Sequence, residues 1–190
     1  MARFDDLLSI VLGNEGVGLA HNPSGLANIP GDPGGATNWG ISQRAWEQLY
    51  HKLPYAGFPS SVRDLIKDQA KVVYQNEYYI LVHGDMLPVG VALVLFDSAV
   101  NQGVGTAIRI LQRALGVVDD GIWGSKTEGA LRLACRDVPK LIEDVCWHRL
   151  LEYDHDTRER GEQSRFPWFL ASLWIPRLVK VRNLALQMGA

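Results

Sequence analysis

VGVALVLFDSAV, residues 89–100, is apolar around almost its whole circumference. Periodicity alone would also allow a buried strand here, but the length and the continuation through Ala99, Val100 and Asn101 favour a helix. A helix that is apolar on all sides belongs at the centre of a fold, not on its surface. The segments around it also read as helices, so the chain is expected to be all-α.

Working toward the N-terminus, Ser60 or Ser61 is placed to cap a helix from Val62 to about Tyr79. Ser42 caps a helix over residues 43–51. Asp5 to Leu12 forms an amphipathic helix with Leu7, Leu8, Val11 and Leu12 on one face, and Gly13 ends it or loosens its last turn. Between these lies a loop, residues 16–41, rich in glycine and proline. Loops longer than about 15 residues without structure of their own are uncommon and usually functional or disordered. Trp39 and Ile41 argue for packing, and the loop has room for a small β-hairpin. Toward the C-terminus, helices are expected over 106–115 and 126–135. Pro139 suits the first turn of a long helix to about Glu152, and a last helix covers 170–188 with Pro176 near its start.

At 190 residues the chain fits one domain or slightly more. We place a first region over 1–97 and a second helical region, packed against it, over 98–190. The net charge of −2 supplies no basic field, which disfavours nucleic acid as a partner. No segment has the pattern of a signal peptide or the length of a membrane span, so no stable membrane association is expected. Cys135 and Cys146 do not make a disulfide framework and are expected to be free thiols, although a helical hairpin around Pro139 would allow them to meet. His21 and His51 lack ligand spacing, HExxH is missing, and the Asp119–Asp120 pair lacks the spacing of a calcium loop. Neither metal nor cofactor is expected.

The residues that draw attention are chemical ones. Glu15 follows the first apolar helix and opens the long loop. GDPGGATNWGIS, residues 31–42, carries Asp32, Thr37 and Asn38 among glycines. The pairing of NEG (residues 14–16) with DPGGATNWGIS (residues 32–42) resembles the signature of glycoside hydrolase family 108, the phage-type muramidases. Leu87–Val117 is similar to the join between that catalytic region and the predicted peptidoglycan-binding region that accompanies it. VDDGIWGSKTEGAL, residues 118–131, matches the Asp-Gly-x-x-Gly-x-x-Thr motif of that second region. The chain departs from the family pattern in Gly16, Val17 and Gly18, where Gly-Gly-Tyr is usual, and in a longer span before Asp32.

The resemblance implies a lysozyme-like fold and cleavage of the β-1,4 bond between N-acetylmuramic acid and N-acetylglucosamine. Such cleavage needs an acid to protonate the leaving oxygen. Glu15 is the candidate, with partial burial raising its pKa. Asp32 is the candidate second carboxylate, with a plain Asx-turn as the alternative. Thr37 is placed to hold the attacking water, or else only to bond loop backbone. Gly34 and Gly35 would allow close approach to substrate or positive φ. Asn38 is a candidate for an acetamido group or for a loop-structural bond. Trp39 is a sugar platform or a packing residue, Trp46 a core residue, and Asn101 and Gln102 candidate cleft residues. Around Asp120, Gly121 and Gly124 should make turns, with Ile122 and Trp123 packed inside.

The expected partner is bacterial peptidoglycan and the expected state a monomer. An endolysin made without a signal peptide would reach the periplasm or wall through a holin-type pore or a secretion system; a bacterial secreted effector is the other setting. Two rivals share the features: a non-catalytic wall-binding or virion structural protein, and a lytic transglycosylase, which leaves a 1,6-anhydro end.

Overall fold

Leu7 and Val11 are fully buried and Phe4, Leu8 and Leu12 nearly so. This one-sided spacing builds the first helix, α1 (Ala2–Asn14). It belongs to a computed structural model that describes residues 2–14, 24–27, 34–159 and 174–189. The contacts divide the chain into two units, Met1–Glu77 and Tyr78–Ala190. As expected, the fold is mainly helical with one small antiparallel hairpin.

In the first unit the hairpin joins β1 (Thr37–Asn38) to β2 (Ile41–Ser42), with Thr37 opposite Ser42 and Asn38 opposite Ile41. Ser42 then caps α2 (Gln43–Glu47), its hydroxyl accepting from the Ala45 amide at 3.2 Å. This helix is shorter than its sequence suggested, and turns follow it. Trp46 is fully buried, donates its indole N–H to the Pro59 carbonyl at 2.8 Å, and packs edge-on against Tyr55.

The single helix expected from Val62 to Tyr79 is not formed. The stretch is divided into a 3₁₀ turn (Val62–Asp64), α3 (Lys67–Tyr74) and a π-type turn (Gln75–Tyr79). The reason lies in the hairpin. The Asn38 amide nitrogen donates to the carbonyls of Val62, Arg63 and Leu65 at 3.0, 3.2 and 3.0 Å, and the Trp39 indole donates to Leu65 at 2.9 Å. Those carbonyls are diverted from the i to i+4 pattern that a continuous helix would need.

The second unit is built on α4 (Val89–Gln102). Every residue from Gly90 to Ala99 is buried, so the helix reading of VGVALVLFDSAV holds. Around it pack α5 (Val104–Ala114), α7 (Val138–Glu159) and α8 (Ile175–Gly189), with α6 (Ser125–Ala134) between α5 and α7 in sequence. Gly90 has a specific role. A Cβ there would stand 2.3 Å from the Ala185 carbonyl oxygen, so only glycine lets α4 and α8 approach this closely. Residue 97, where the sequence-drawn boundary falls, lies inside α4. Cys135 and Cys146 are free thiols. Burial pushes Cys146 up to about 11, which leaves it protonated and unreactive near neutral pH. No helix among the described residues is long and apolar enough to cross a membrane.

Candidate functional site

The hairpin carries Thr37, Asn38 and Trp39, three of the candidate site residues. Thr37 is bonded through its backbone on one side only, because its amide and carbonyl both face Ala27. It stands opposite Ser42 across the hairpin and exchanges two 2.8 Å bonds with Ala27 on the other side. Its hydroxyl, in contrast, has no hydrogen-bond partner among the described residues. A fixed backbone holding an uncommitted hydroxyl is what the positioning of a water requires. Of the two roles the sequence allowed for Thr37, its amide and carbonyl fill the loop-structural one, and its side chain stays open to the other.

The turn between the strands is Trp39–Gly40, with φ of 53° and 76°. Positive φ at both central residues is the twist that suits a two-residue hairpin. For Trp39 this conformation costs about 1 kcal/mol. It is held by three bonds: the Trp39 amide to the Ser24 carbonyl at 2.7 Å, its carbonyl from the Tyr74 hydroxyl at 3.0 Å, and its indole to Leu65. The ring is half-buried and anchored at its nitrogen, so Trp39 is a packing residue with part of its surface open.

Asn38 is buried, and its amide nitrogen is committed to the three carbonyls named above. Its nitrogen thus bonds loop backbone, while its Oδ1 has no hydrogen-bond partner among the described residues. Gly34 and Ala36 strap the loop to α2. The Gly34 and Ala36 carbonyls accept from the Arg44 and Gln43 amides at 3.1 and 2.7 Å. Gly35 takes the positive φ expected of it, 72°, and a Cβ there would press on Gln43 Cβ at 3.3 Å. Glu15 and Asp32 lie outside the described residues, and so does the geometry of an acid–base pair.

Beside the hairpin is an open cavity of about 490 Å³, bordered by Ala36, Gln43, Glu47, Tyr50, Ser60, Ser61 and Arg63. Gln43 holds it together. Its amide nitrogen donates to Glu47 Oε1 at 3.1 Å and to the Ser60 carbonyl at 3.2 Å, and its oxygen accepts from the Val62 amide at 2.8 Å. This role was not legible in the residues, because Gln43 reads simply as the first residue of a helix.

Asn101 and Gln102 sit at the C-terminal end of α4 in the second unit. Asn101 Oδ1 accepts from the Tyr153 hydroxyl at 3.1 Å, and Gln102 Oε1 accepts from Arg149 Nε at 3.2 Å. Arg149, fully buried, also donates to Asp97 Oδ2 at 2.8 Å, and Arg177 grips the same carboxylate with bonds of 3.0 to 3.2 Å. Burial alone would raise the Asp97 carboxyl, but the charges and hydrogen bonds of Arg149 and Arg177 outweigh it and hold the pKa below the usual carboxylate range. Through Arg149 and Tyr153, Asn101 and Gln102 join a cluster that ties α4 to α7. The lone aspartate in an apolar run was the available signal for this cluster, because a buried carboxylate needs a cation.

The 118–131 motif is organised by Gln112. Its amide nitrogen donates to Asp120 Oδ1, the Ile122 carbonyl and Thr127 Oγ1 at 2.8, 3.0 and 3.3 Å, and its oxygen accepts from the Gly121 amide at 2.8 Å. Gly121 takes a φ of 75° as a turn glycine, whereas Gly124 is extended at the start of α6. Trp123 stacks on His83 with ring centroids 4.3 Å apart. Ile122 is not packed inside as expected. It is 69% exposed, because the Asp120 carboxylate turns the chain back on itself at the Ile122 amide and leaves the side chain outward. Among the described residues no group of three His, Cys, Asp or Glu side chains could hold a metal ion.

A mainly helical fold with a short hairpin and a glycine-strapped loop defines the class. The chain belongs to the glycosyl hydrolase 108 family, whose model matches residues 8–103. That family is associated with lysozyme-like action on peptidoglycan. Among solved structures, SagA from Brucella abortus is similar at 30% identity and a TM-score of 0.71, over 98% of this chain and 95% of that one. No curated protein sequence matches the chain.

Proposed function

We propose that the protein is an N-acetylmuramidase that cuts the β-1,4 bond between N-acetylmuramic acid and N-acetylglucosamine of bacterial peptidoglycan. The observation that carries this reading is the family match, which spans the Glu15 block, the DPGGATNWGIS block and the whole of α4. Glu15 acts as the general acid, Asp32 as the second carboxylate, and Thr37 holds the water. Water as the attacking group gives a reducing muramic end, and the uncommitted Thr37 hydroxyl supports that route over an intramolecular attack. The 118–131 motif and the helices around it form the wall-binding part, and the protein works as a monomer in the periplasm or wall after release through a pore or secretion system. The endolysin setting rests on the motif resemblance; the similar solved structure comes from a bacterium.

The test is mass spectrometry of purified peptidoglycan digested with the wild-type protein and with Glu15→Gln. Reducing muramic ends from the wild type, lost by at least about a hundredfold in the variant, are the expected result. Anhydro ends would move the protein to the transglycosylases. Release by neither protein would leave a binding or structural protein.

A further inference from the structure

The cavity beside the hairpin holds opposite charges that the protein does not use. Arg63 is anchored through its backbone. Its amide donates to Ser61 Oγ at 3.3 Å and its carbonyl accepts from Asn38 at 3.2 Å. Its exposed guanidinium has no ion pair or hydrogen bond among the described residues. Glu47, also exposed, offers one oxygen to Gln43, and its other oxygen is uncommitted. Tyr50 is held edge-on to His51 at 4.4 Å and tilted against Trp46 at 6.3 Å, and its hydroxyl has no partner among the described residues. The Ser60 and Ser61 hydroxyls stand at the same rim. The floor beneath these groups is fixed by the three bonds of Gln43.

A neutral sugar needs donors, acceptors and an aromatic face. It does not call for a guanidinium and a carboxylate left open on one cavity. A ligand that carries both a free carboxylate and a free amine does, because each charge then meets its opposite in a bidentate or charge-assisted bond. The cavity also begins at Ala36, one residue before Thr37. On the reading that Thr37 holds the attacking water, the cavity borders the strand that carries it. In peptidoglycan, the group beside the sugar–sugar bond with free carboxylates and an amine is the peptide stem borne on every second sugar. We infer that this cavity binds the peptide stem, with Arg63 on a stem carboxylate, Glu47 on the amine of its diamino acid, and Tyr50 and the two serines on its amides. This assignment rests on the peptidoglycan reading above.

The test is an NMR titration of the whole labelled protein with three probes: a free stem tetrapeptide containing a diamino acid, the disaccharide tetrapeptide, and the same disaccharide without its peptide. The two peptide-bearing probes should shift the amides of Ala36, Gln43 and Ser61, and the bare disaccharide should leave them in place. Arg63→Gln and Glu47→Gln should each weaken tetrapeptide binding about five- to tenfold, with the thermal midpoint unmoved because both side chains are exposed. Tetrapeptide that shifts none of these amides, or that binds both variants as it binds the wild type, overturns the assignment and leaves the charges as solvated surface. Digestion of glycan strands stripped of peptide reports separately on the hydrolase. Cleavage of those strands without tetrapeptide binding removes the stem site and keeps the muramidase. Tetrapeptide binding with no cleavage of those strands or of intact peptidoglycan keeps the stem site and removes the muramidase.

Discussion

Asn38 in the first unit and Asp97 in the second are both buried polar side chains in apolar surroundings, yet they shape the chain in different ways. Asn38 is neutral and bonds backbone carbonyls, and the chain it touches is broken into short 3₁₀, α and π pieces. Asp97 is charged and bonds guanidinium groups from α7 and α8, and the helix that carries it stays regular from Val89 to Gln102. A buried group that donates to backbone takes carbonyls away from regular structure. One that satisfies itself on other side chains joins helices without altering any of them. The first arrangement produces a shaped loop around Thr37, and the second produces a rigid scaffold.

The largest effect should come from the charged member. Asp97→Asn leaves the buried Arg149 without its counter-charge, and loss of one partner of a buried pair costs about 4 kcal/mol. Urea unfolding would measure it, and a cost below about 1 kcal/mol would show that the cluster is not what holds α4 to α7. The same carboxylate gives a pH signature. Because the folded carboxyl titrates below its usual 3.8, its stabilising contribution is complete above that value. That contribution is lost as pH falls through the lower, folded value. Asp97→Asn should therefore flatten the acid limb of the stability curve.

Asn38→Ala should cost about 2 kcal/mol, since it removes the side-chain donor shared by the Val62, Arg63 and Leu65 carbonyls. Hydrogen exchange would place the effect: faster exchange over residues 62–66 is expected, and a uniform change across the chain would argue against a local role. Ser42→Ala removes one cap bond at the start of α2 and should cost about 1 kcal/mol. An equal loss from Ser42→Ala and Asn38→Ala would erase the distinction between a group that only caps and one that reshapes the chain.

Much of the fold was legible in the residues. The all-round apolar run at 89–100, the one-sided spacing at 5–12 and the Ser42 cap each depend on neighbours a few positions apart, and each formed as read. The interruption at Leu65 was not legible, because its cause is Asn38, 27 residues earlier. Ile122 looked like a core residue from its apolar side chain, and a local Asp120 turn put it outside. In the candidate site, Thr37 and the loop glycines could be named from the motif. Gln43, Glu47 and Arg63 could not, because they come from a helix and a turn that only folding brings around one cavity.

Residue order alone reveals the helical periods at 5–12 and 89–100, the Ser42 cap and the family blocks, because these are local patterns within a turn or two of chain. Folding alone settles where the polar side chains find partners. Asn38 on Leu65, Asp97 on Arg149 and Arg177, Gln43 between Glu47 and Val62, and Gln112 on the 120–127 turn are mostly pairings between separate elements, and burial favours them because an unbonded buried polar group costs free energy.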